Sequence, residues 1–106
     1  MSSKPAVITG NWASRQVWIG DKQLFPGASQ KVRNHSPDGF NWGYGGSGPA
    51  QLALALLLHL EAGLFARQHY QDFKWEVIAR LPKADFEIPF ETVQKWIDSR
   101  KEVQKC

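Results

Sequence analysis

The chain has 106 residues, 42% of them hydrophobic and 22% charged, with five Trp, six Phe and a formal net charge of +3. This length is typical of one domain with its own core, and the aromatic content excludes a disordered chain. The small positive charge is far from the concentrated basic face of a dedicated DNA-binding protein, so nucleic acid is not the expected partner.

The sequence also indicates a cellular compartment. The single cysteine, Cys106, cannot form an internal disulfide, which is typical of a reducing compartment. The first residues lack the apolar core of a signal peptide. The apolar run from Ala50 to Leu58 is shorter than the roughly 20 residues that cross a bilayer. We therefore expect a protein of the bacterial cytoplasm without membrane segments.

The first third of the chain predicts short strands followed by a long loop. Apolar residues on either side of a Gly-Asp turn predict a β-hairpin over residues 15–19 and 22–25. Residues 7–9 predict a further short strand. Residues 26–48 are rich in Gly, Pro, Asn and Ser and predict a loop, and loops of such length are often functional.

The remainder of the chain predicts three helices and one strand. Residues 49–62 are apolar on nearly every face and predict a central buried helix. Residues 70–81 and 89–103 carry the apolar stripes of amphipathic helices, and residues 86–88 predict a short strand. The expected fold class is α+β, with a small antiparallel β-sheet packed on about three helices in one domain of 106 residues.

The segment GYGGSGPAQ, residues 43–51, leads directly into the central helix. Its glycines match the spacing of a dinucleotide-binding loop, but no buried strand precedes them. No lysine follows the last glycine, as a P-loop requires, and Pro49 stands where a nucleophile elbow needs a glycine. Two alternatives remain. Gly45–Gly48 expose backbone N–H groups that bind phosphate at a helix N-terminus, or the glycines only permit tight packing of a turn.

The residues around this segment favour a ligand. Phe40, Trp42 and Tyr44 alternate along the chain, so their rings would share one side of an extended segment. Aromatic rings can stack on a base while cations and free amides hold a phosphate. Alternatively, these rings cover the central helix as part of the core. The candidate ligand-binding residues are Lys31, Arg33, Asn34, His35, Phe40, Trp42, Tyr44, Gly45, Gly46, Ser47, Gly48 and Gln51.

Other kinds of chemistry have less support. The three histidines lack the cysteines or paired carboxylates that complete a metal site, so no metal or cofactor is expected. Ser47, His35 and Asp38 are the residue types of a catalytic triad, but such residues occur by chance in any polar loop. We therefore expect a binding protein and not an enzyme. Because five Trp exceed what so small a core easily buries, we also expect a homo-oligomer.

Two blocks of sequence carry a resemblance to a known family. They are NHSPDGFNWGYGGSGPAQLALALL, residues 34–57, and YQDFKWEVIARLP, residues 70–82. Together they resemble an uncharacterised family, domain of unknown function number 6166, which is found in bacteria, plasmids and phages. The resemblance implies no catalytic residues. It does imply a setting in which small proteins of mobile elements counter host defence.

The leading hypothesis is a non-enzymatic phage or mobile-element protein that sequesters a small anionic nucleotide signal, of the cyclic or ADP-ribose type, and so acts against host defence. Lys31 and Arg33 would neutralise phosphate, and Trp42 or Tyr44 would stack on a base. The alternative hypothesis is a protein–protein inhibitor of a host defence protein that acts through the aromatic, Gly-rich loop.

Overall fold

The computed structural model describes residues 7–61 and 63–104 of the chain. They form four β-strands, four α-helices and one 3₁₀ turn in an α+β fold, as the sequence predicted. In chain order the elements are β1 (Val7–Gly10), β2 (Val17–Ile19), β3 (Lys22–Leu24), α1 (Gly27–Val32), α2 (Ser47–Leu60), α3 (Gly63–Glu76), the 3₁₀ turn (Ile78–Arg80), β4 (Phe86–Pro89) and α4 (Phe90–Gln104).

The four strands form one antiparallel sheet in the order β3-β2-β1-β4. The predicted hairpin is present, and its turn is possible because Gly20 adopts a φ of 62°. Strand β1 lies in the middle, where Ile8 pairs with Ile19 of β2 and with Ile88 of β4. Strand β1 therefore joins the N-terminal hairpin to β4, which comes after α1, α2 and α3 in the chain.

Helix α2 is the centre of the core, as predicted, although it spans 47–60 where the sequence predicted 49–62. Every residue from Gly48 to Leu57 is buried. These residues share one hydrophobic cluster with side chains of the sheet, of α3 and of α4, such as Ile8, Phe73 and Ile97. A helix that is apolar on every face is stable in water only when other elements cover all of those faces.

Helix α3 differs from the prediction. The sequence predicted a helix over 70–81, whereas α3 begins at Gly63 and ends at Glu76, and a 3₁₀ turn follows. The break lies at Glu61, which is extended with φ −144° and ψ 176° and ends α2. Gly63 is the first residue of the new helix. The buried stripe of α3 consists of Phe65, Ala66, Tyr70, Phe73 and Lys74.

The predicted loop over 26–48 contains a helix that the sequence did not reveal. Helix α1 has six residues and no side-chain hydrogen bond at its N-cap, so its local sequence gives it little stability. Tertiary contacts hold it in place. Ser29 is buried, its hydroxyl donates to the Pro26 carbonyl at 2.8 Å, and it accepts a hydrogen bond from Gln51 of α2 at 2.9 Å.

Helix α4 has the predicted amphipathic character, with Val93 and Ile97 buried. It is tied to α3 by polar contacts at the surface. The Trp96 indole donates to a Glu76 carboxylate oxygen at 2.9 Å, and Arg100 pairs with the other oxygen of that carboxylate. Among the residues that the structure describes, no helix is long and apolar enough to cross a membrane.

The contact between Gly10 and Phe86 gives a test of how tightly β1 and β4 are packed. A Cβ atom at Gly10 would lie 2.1 Å from the Phe86 ring. We expect Gly10→Ala to lower the free energy of unfolding by about 1–3 kcal/mol, because the buried ring must move. Gly27→Ala is the matched control, since a Cβ there meets no atom within 4 Å. Chemical denaturation should show a change within about 0.5 kcal/mol for this control. Equal effects of the two substitutions would contradict the tight packing.

Candidate functional site

The Gly-rich segment packs closely against its neighbours. A Cβ at Gly45 would lie 2.2 Å from the Trp75 ring, one at Gly46 would lie 2.4 Å from the Tyr44 ring, and one at Gly48 would lie 2.6 Å from Cβ of Asn41. None of these three glycines has a positive φ. Their absent side chains therefore allow two aromatic rings and the Asn41 backbone to approach the start of α2.

The N-terminus of α2 has no cap from a side chain. Gly46 is the N-cap residue, and Pro49 in the first turn has no N–H. The backbone N–H of Ala50 bonds to the Gly46 carbonyl at 3.0 Å. Within the described part of the chain, no acceptor bonds to the N–H groups of Ser47 and Gly48. This end of the helix therefore has free donors and the positive end of its dipole.

A cleft of about 560 Å³ opens beside this helix end. Its volume lies within the range of about 300–1,000 Å³ that is typical of small-molecule sites. We call it the Arg15 cleft. It is lined by Ala13, Arg15, Ser36, Asp38, Gly39, Phe40, Asn41, Tyr44, Ser47 and Gly48. The lining combines one cation, one carboxylate, hydroxyl and amide groups and two aromatic rings.

Arg15 is the cation of this cleft, and it is not one of the predicted site residues. It has a φ of 61°, which is rare for a residue with a side chain. Its Nε donates to Oδ1 of Asn41 at 3.1 Å, and its guanidinium carbon lies 3.6 Å from the centre of the Trp12 ring. Arg15 forms no ion pair with any carboxylate in residues 7–61 and 63–101. Its charge is therefore held in place without an ion-pair partner among these residues.

The turn that carries Arg15 has a local signal. The side chain of Asn11 accepts from the N–H of Ser14 at 3.0 Å, and the Asn11 carbonyl accepts from the N–H of Arg15 at 2.7 Å. Asn followed by Ser three residues later is typical of such a side-chain-stabilised turn. Reading Asn11–Arg15 as a turn would have separated Arg15 from the predicted strand.

The structure places Trp42 and Phe40 in the hydrophobic core, as the alternative interpretation of these rings expected, so Trp42 is not available to stack on a base. Trp42 is fully buried, its indole N–H donates to the Ala84 carbonyl at 2.9 Å, and its ring packs against Trp12 and Phe86. Phe40 is also buried, although it is one of the residues that line the cleft. Tyr44 remains 43% exposed. Of the three alternating aromatics, only Tyr44 can stack on a ligand.

Gln51 has a structural role, contrary to its expected role in ligand binding. Its side chain is completely buried. The Oε1 atom accepts from the N–H groups of His35 at 2.8 Å and Ser36 at 3.0 Å. The Nε2 atom donates to the Ser29 hydroxyl at 2.9 Å and the Arg33 carbonyl at 3.1 Å. Because all four of its hydrogen bonds are made, Gln51 fixes the course of residues 29–36 over α2.

The predicted site residues divide between two regions. Phe40, Tyr44, Ser47 and Gly48 line the Arg15 cleft. Arg33 instead lines a second cavity of about 230 Å³, together with Arg67 and Tyr70. Two further predicted site residues near Arg33, Lys31 and Asn34, are exposed and line neither cavity. The expected single site is therefore not assembled.

His35 lies next to the second cavity. Its Nε2 atom is 2.6 Å from the Tyr70 hydroxyl. Burial, together with the positive charges of Arg33 and Lys74, lowers the pKa of its imidazole. The ring is therefore neutral near pH 7. Across residues 7–61 and 63–101, no three His, Cys, Asp or Glu side chains are grouped so that they could hold a metal ion.

Removal of the Gln51 side-chain amide tests its structural role. We expect Gln51→Leu to lower the free energy of unfolding by at least about 2 kcal/mol, because it leaves backbone N–H groups over α2 without acceptors. Gln94→Leu, on the surface of α4, should change this free energy by less than about 0.5 kcal/mol. Chemical denaturation measures both. A Gln51→Leu protein as stable as its Gln94→Leu control would show that the buried amide is dispensable.

The lowered pKa of His35 predicts a pH dependence of stability. The unfolded chain binds the proton near the ordinary pKa of 6.5, above the pKa in the folded state. Stability is therefore fully present above about pH 6.5 and is lost as pH falls through the folded pKa. Arg33, Lys74 and Tyr70 face this ring. Denaturation measured between about pH 5 and pH 8 should show this loss in the His59→Gln control and a smaller loss in His35→Gln. Identical profiles would contradict the assignment.

No curated protein and no solved structure matches the chain. The profile of a family of unknown function, DUF6166, matches residues 9–99 and so includes the second half of β1, the other three strands, the Arg15 cleft and most of α4. The match includes both blocks of sequence on which the resemblance was based. The chain therefore belongs to the DUF6166 family of unknown function.

Proposed function

We propose that the protein binds a small phosphate-bearing ligand of the nucleotide class in the Arg15 cleft. The observation that carries this proposal is that an unpaired guanidinium and the uncapped N-terminus of α2 border the same cleft of about 560 Å³. Both groups attract anions, and their positions are fixed before any ligand arrives.

The remaining groups of the cleft suit the other parts of a nucleotide. Arg15 and the N–H groups of Ser47 and Gly48 would bind the phosphate. The exposed ring of Tyr44 offers a stacking surface for a base, a contact that is typically worth about 1–3 kcal/mol. Asp38 repels phosphate but accepts hydrogen bonds from hydroxyl groups, so it suits a ribose. The charges in the cleft thus favour a ligand with one anionic end and one hydroxyl-bearing part.

Sequestration of such a ligand, as a mobile-element protein acting against host defence would perform it, stays a hypothesis that rests on the resemblance. The alternative hypothesis, inhibition of a host protein through the aromatic loop, loses support because Phe40 and Trp42 are buried. The expected homo-oligomer also stays a prediction. Its support is that Phe25, Leu64 and Trp75 are largely exposed.

The substitution Arg15→Asn separates binding from folding. Asn tolerates a positive φ better than most residues, so we expect stability to change by less than about 1 kcal/mol, the cation–π contact with Trp12 being the main loss. Loss of the charged hydrogen bonds should weaken binding by about tenfold to a hundredfold. The probes are AMP, ADP-ribose and a cyclic dinucleotide, screened by thermal shift and then measured by calorimetry.

Lys31→Gln is the matched control, because it also removes one positive charge but lies outside the cleft. It should bind like the unmodified protein. Tyr44→Ala should weaken probes that carry a base and leave inorganic phosphate unaffected. Two results would rule out the Arg15 cleft as the site. One is that none of the nucleotides stabilises the protein, and the other is that Arg15→Asn and Lys31→Gln weaken binding equally.

A further inference from the structure

The second cavity lies where the end of α1, the middle of α2 and α3 meet. Its volume is about 230 Å³, and it is lined by Val32, Arg33, Leu54, Arg67 and Tyr70. Arg33 directly follows α1, whereas Arg67 and Tyr70 lie three residues apart on α3 and so share one face. Two guanidinium groups from separate elements therefore border one small space.

Lys74 adds a buried positive charge to this region. It lies one turn beyond Tyr70 on α3 and is only 8% exposed. Its ammonium lies 4.4 Å from the centre of the Trp75 ring. Its charge also acts on His35, whose ring contacts the Tyr70 hydroxyl. We call Arg33, Arg67 and Lys74 the basic cluster.

The basic cluster has no counter-charge in the described part of the protein. The ion pairs there join Arg100 to Asp72 and Glu76, and Lys101 to Glu61. None of them includes a member of the cluster. Arg33 and Arg67 are exposed, so water screens their repulsion, but burial of the Lys74 charge without an opposite charge carries a cost. A bound anion would remove this cost.

We propose that the second cavity binds a phosphate group between the guanidinium groups of Arg33 and Arg67. The planar fork of a guanidinium matches two phosphate oxygens, and a dianion balances two such groups. The cavity has a volume of about 230 Å³. This is roughly seven or eight times the volume of about 30 Å³ that one water molecule occupies in the liquid. It suits a phosphate or a small phosphate ester and is too small for a whole nucleotide.

This site is separate from the Arg15 cleft and does not rest on the proposed function. No residue lines both cavities. A phosphate here would join the end of α1 to α3, two elements that otherwise meet mainly through α2. We therefore expect phosphate to stabilise this part of the protein locally.

Inorganic phosphate is the probe, in a titration followed by NMR at constant ionic strength with chloride as the replaced anion. The unmodified protein should show saturable shifts at residues 33–35 and 67–74, including the His35 ring. Arg67→Gln and Arg33→Gln should each weaken phosphate affinity by about tenfold to a hundredfold. Their thermal stability in chloride shows whether they are folded. Arg80→Gln is the control for general loss of charge, and Arg15→Asn is the control for the other cleft.

The affinity is read from the shifts at residues 33–35 and 67–74 alone. Affinity there that is equal in Arg15→Asn, Arg80→Gln and the unmodified protein, with loss in the two cavity variants, would support the site. Retention of full affinity in Arg33→Gln and Arg67→Gln would overturn it, as would loss in Arg15→Asn alone. Shifts that never saturate would mean general attraction of anions to a basic surface and would also overturn it. A second titration with glycerol phosphate distinguishes a phosphate ester from free phosphate as the ligand. If glycerol phosphate binds more tightly than inorganic phosphate, the site is for an ester. If it binds more weakly, the site is for the free ion.

Discussion

Helix α2 has apolar side chains on all of its faces, and the rest of the structure depends on covering them. Helix α3 packs along it, α1 lies across it, and the sheet and α4 contribute to the same hydrophobic cluster. Only the ends of α2 then reach solvent. Because the N-terminal end has no capping side chain, the Arg15 cleft forms where the burial of the helix stops.

The parts of the fold that the sequence predicted are those with a clear local period. The apolar run of α2, the hairpin and the stripe of α4 are each recognisable within about a dozen residues. Helix α1 has no such pattern. It forms because a buried hydrogen bond from Gln51, on α2, holds it in place. The start of α3 was missed because Gly63 follows an apolar helix and reads as its end, while the backbone breaks at Glu61.

The candidate site was only partly predictable for a related reason. Alternation placed Phe40, Trp42 and Tyr44 on a common side, but it cannot say whether that side faces solvent or core. Here the Trp42 indole finds its acceptor 42 residues away, at Ala84. Arg15 reaches the cleft from a turn 26 residues before its partner Asn41. Such long-range pairings leave no spacing that a single sequence can show.

The sheet has a consequence for how this protein can meet other chains. Among the described residues its edges are β3 and β4, since each pairs with only one strand. Strand β3 has three residues and an exposed lysine, Lys22. Strand β4 ends in Pro89, which has no N–H to donate, and exposes Glu87. Short, charged or proline-bearing edges resist the addition of a further strand. The sheet is thus protected from edge-to-edge aggregation, and any stable association must use side-chain surfaces.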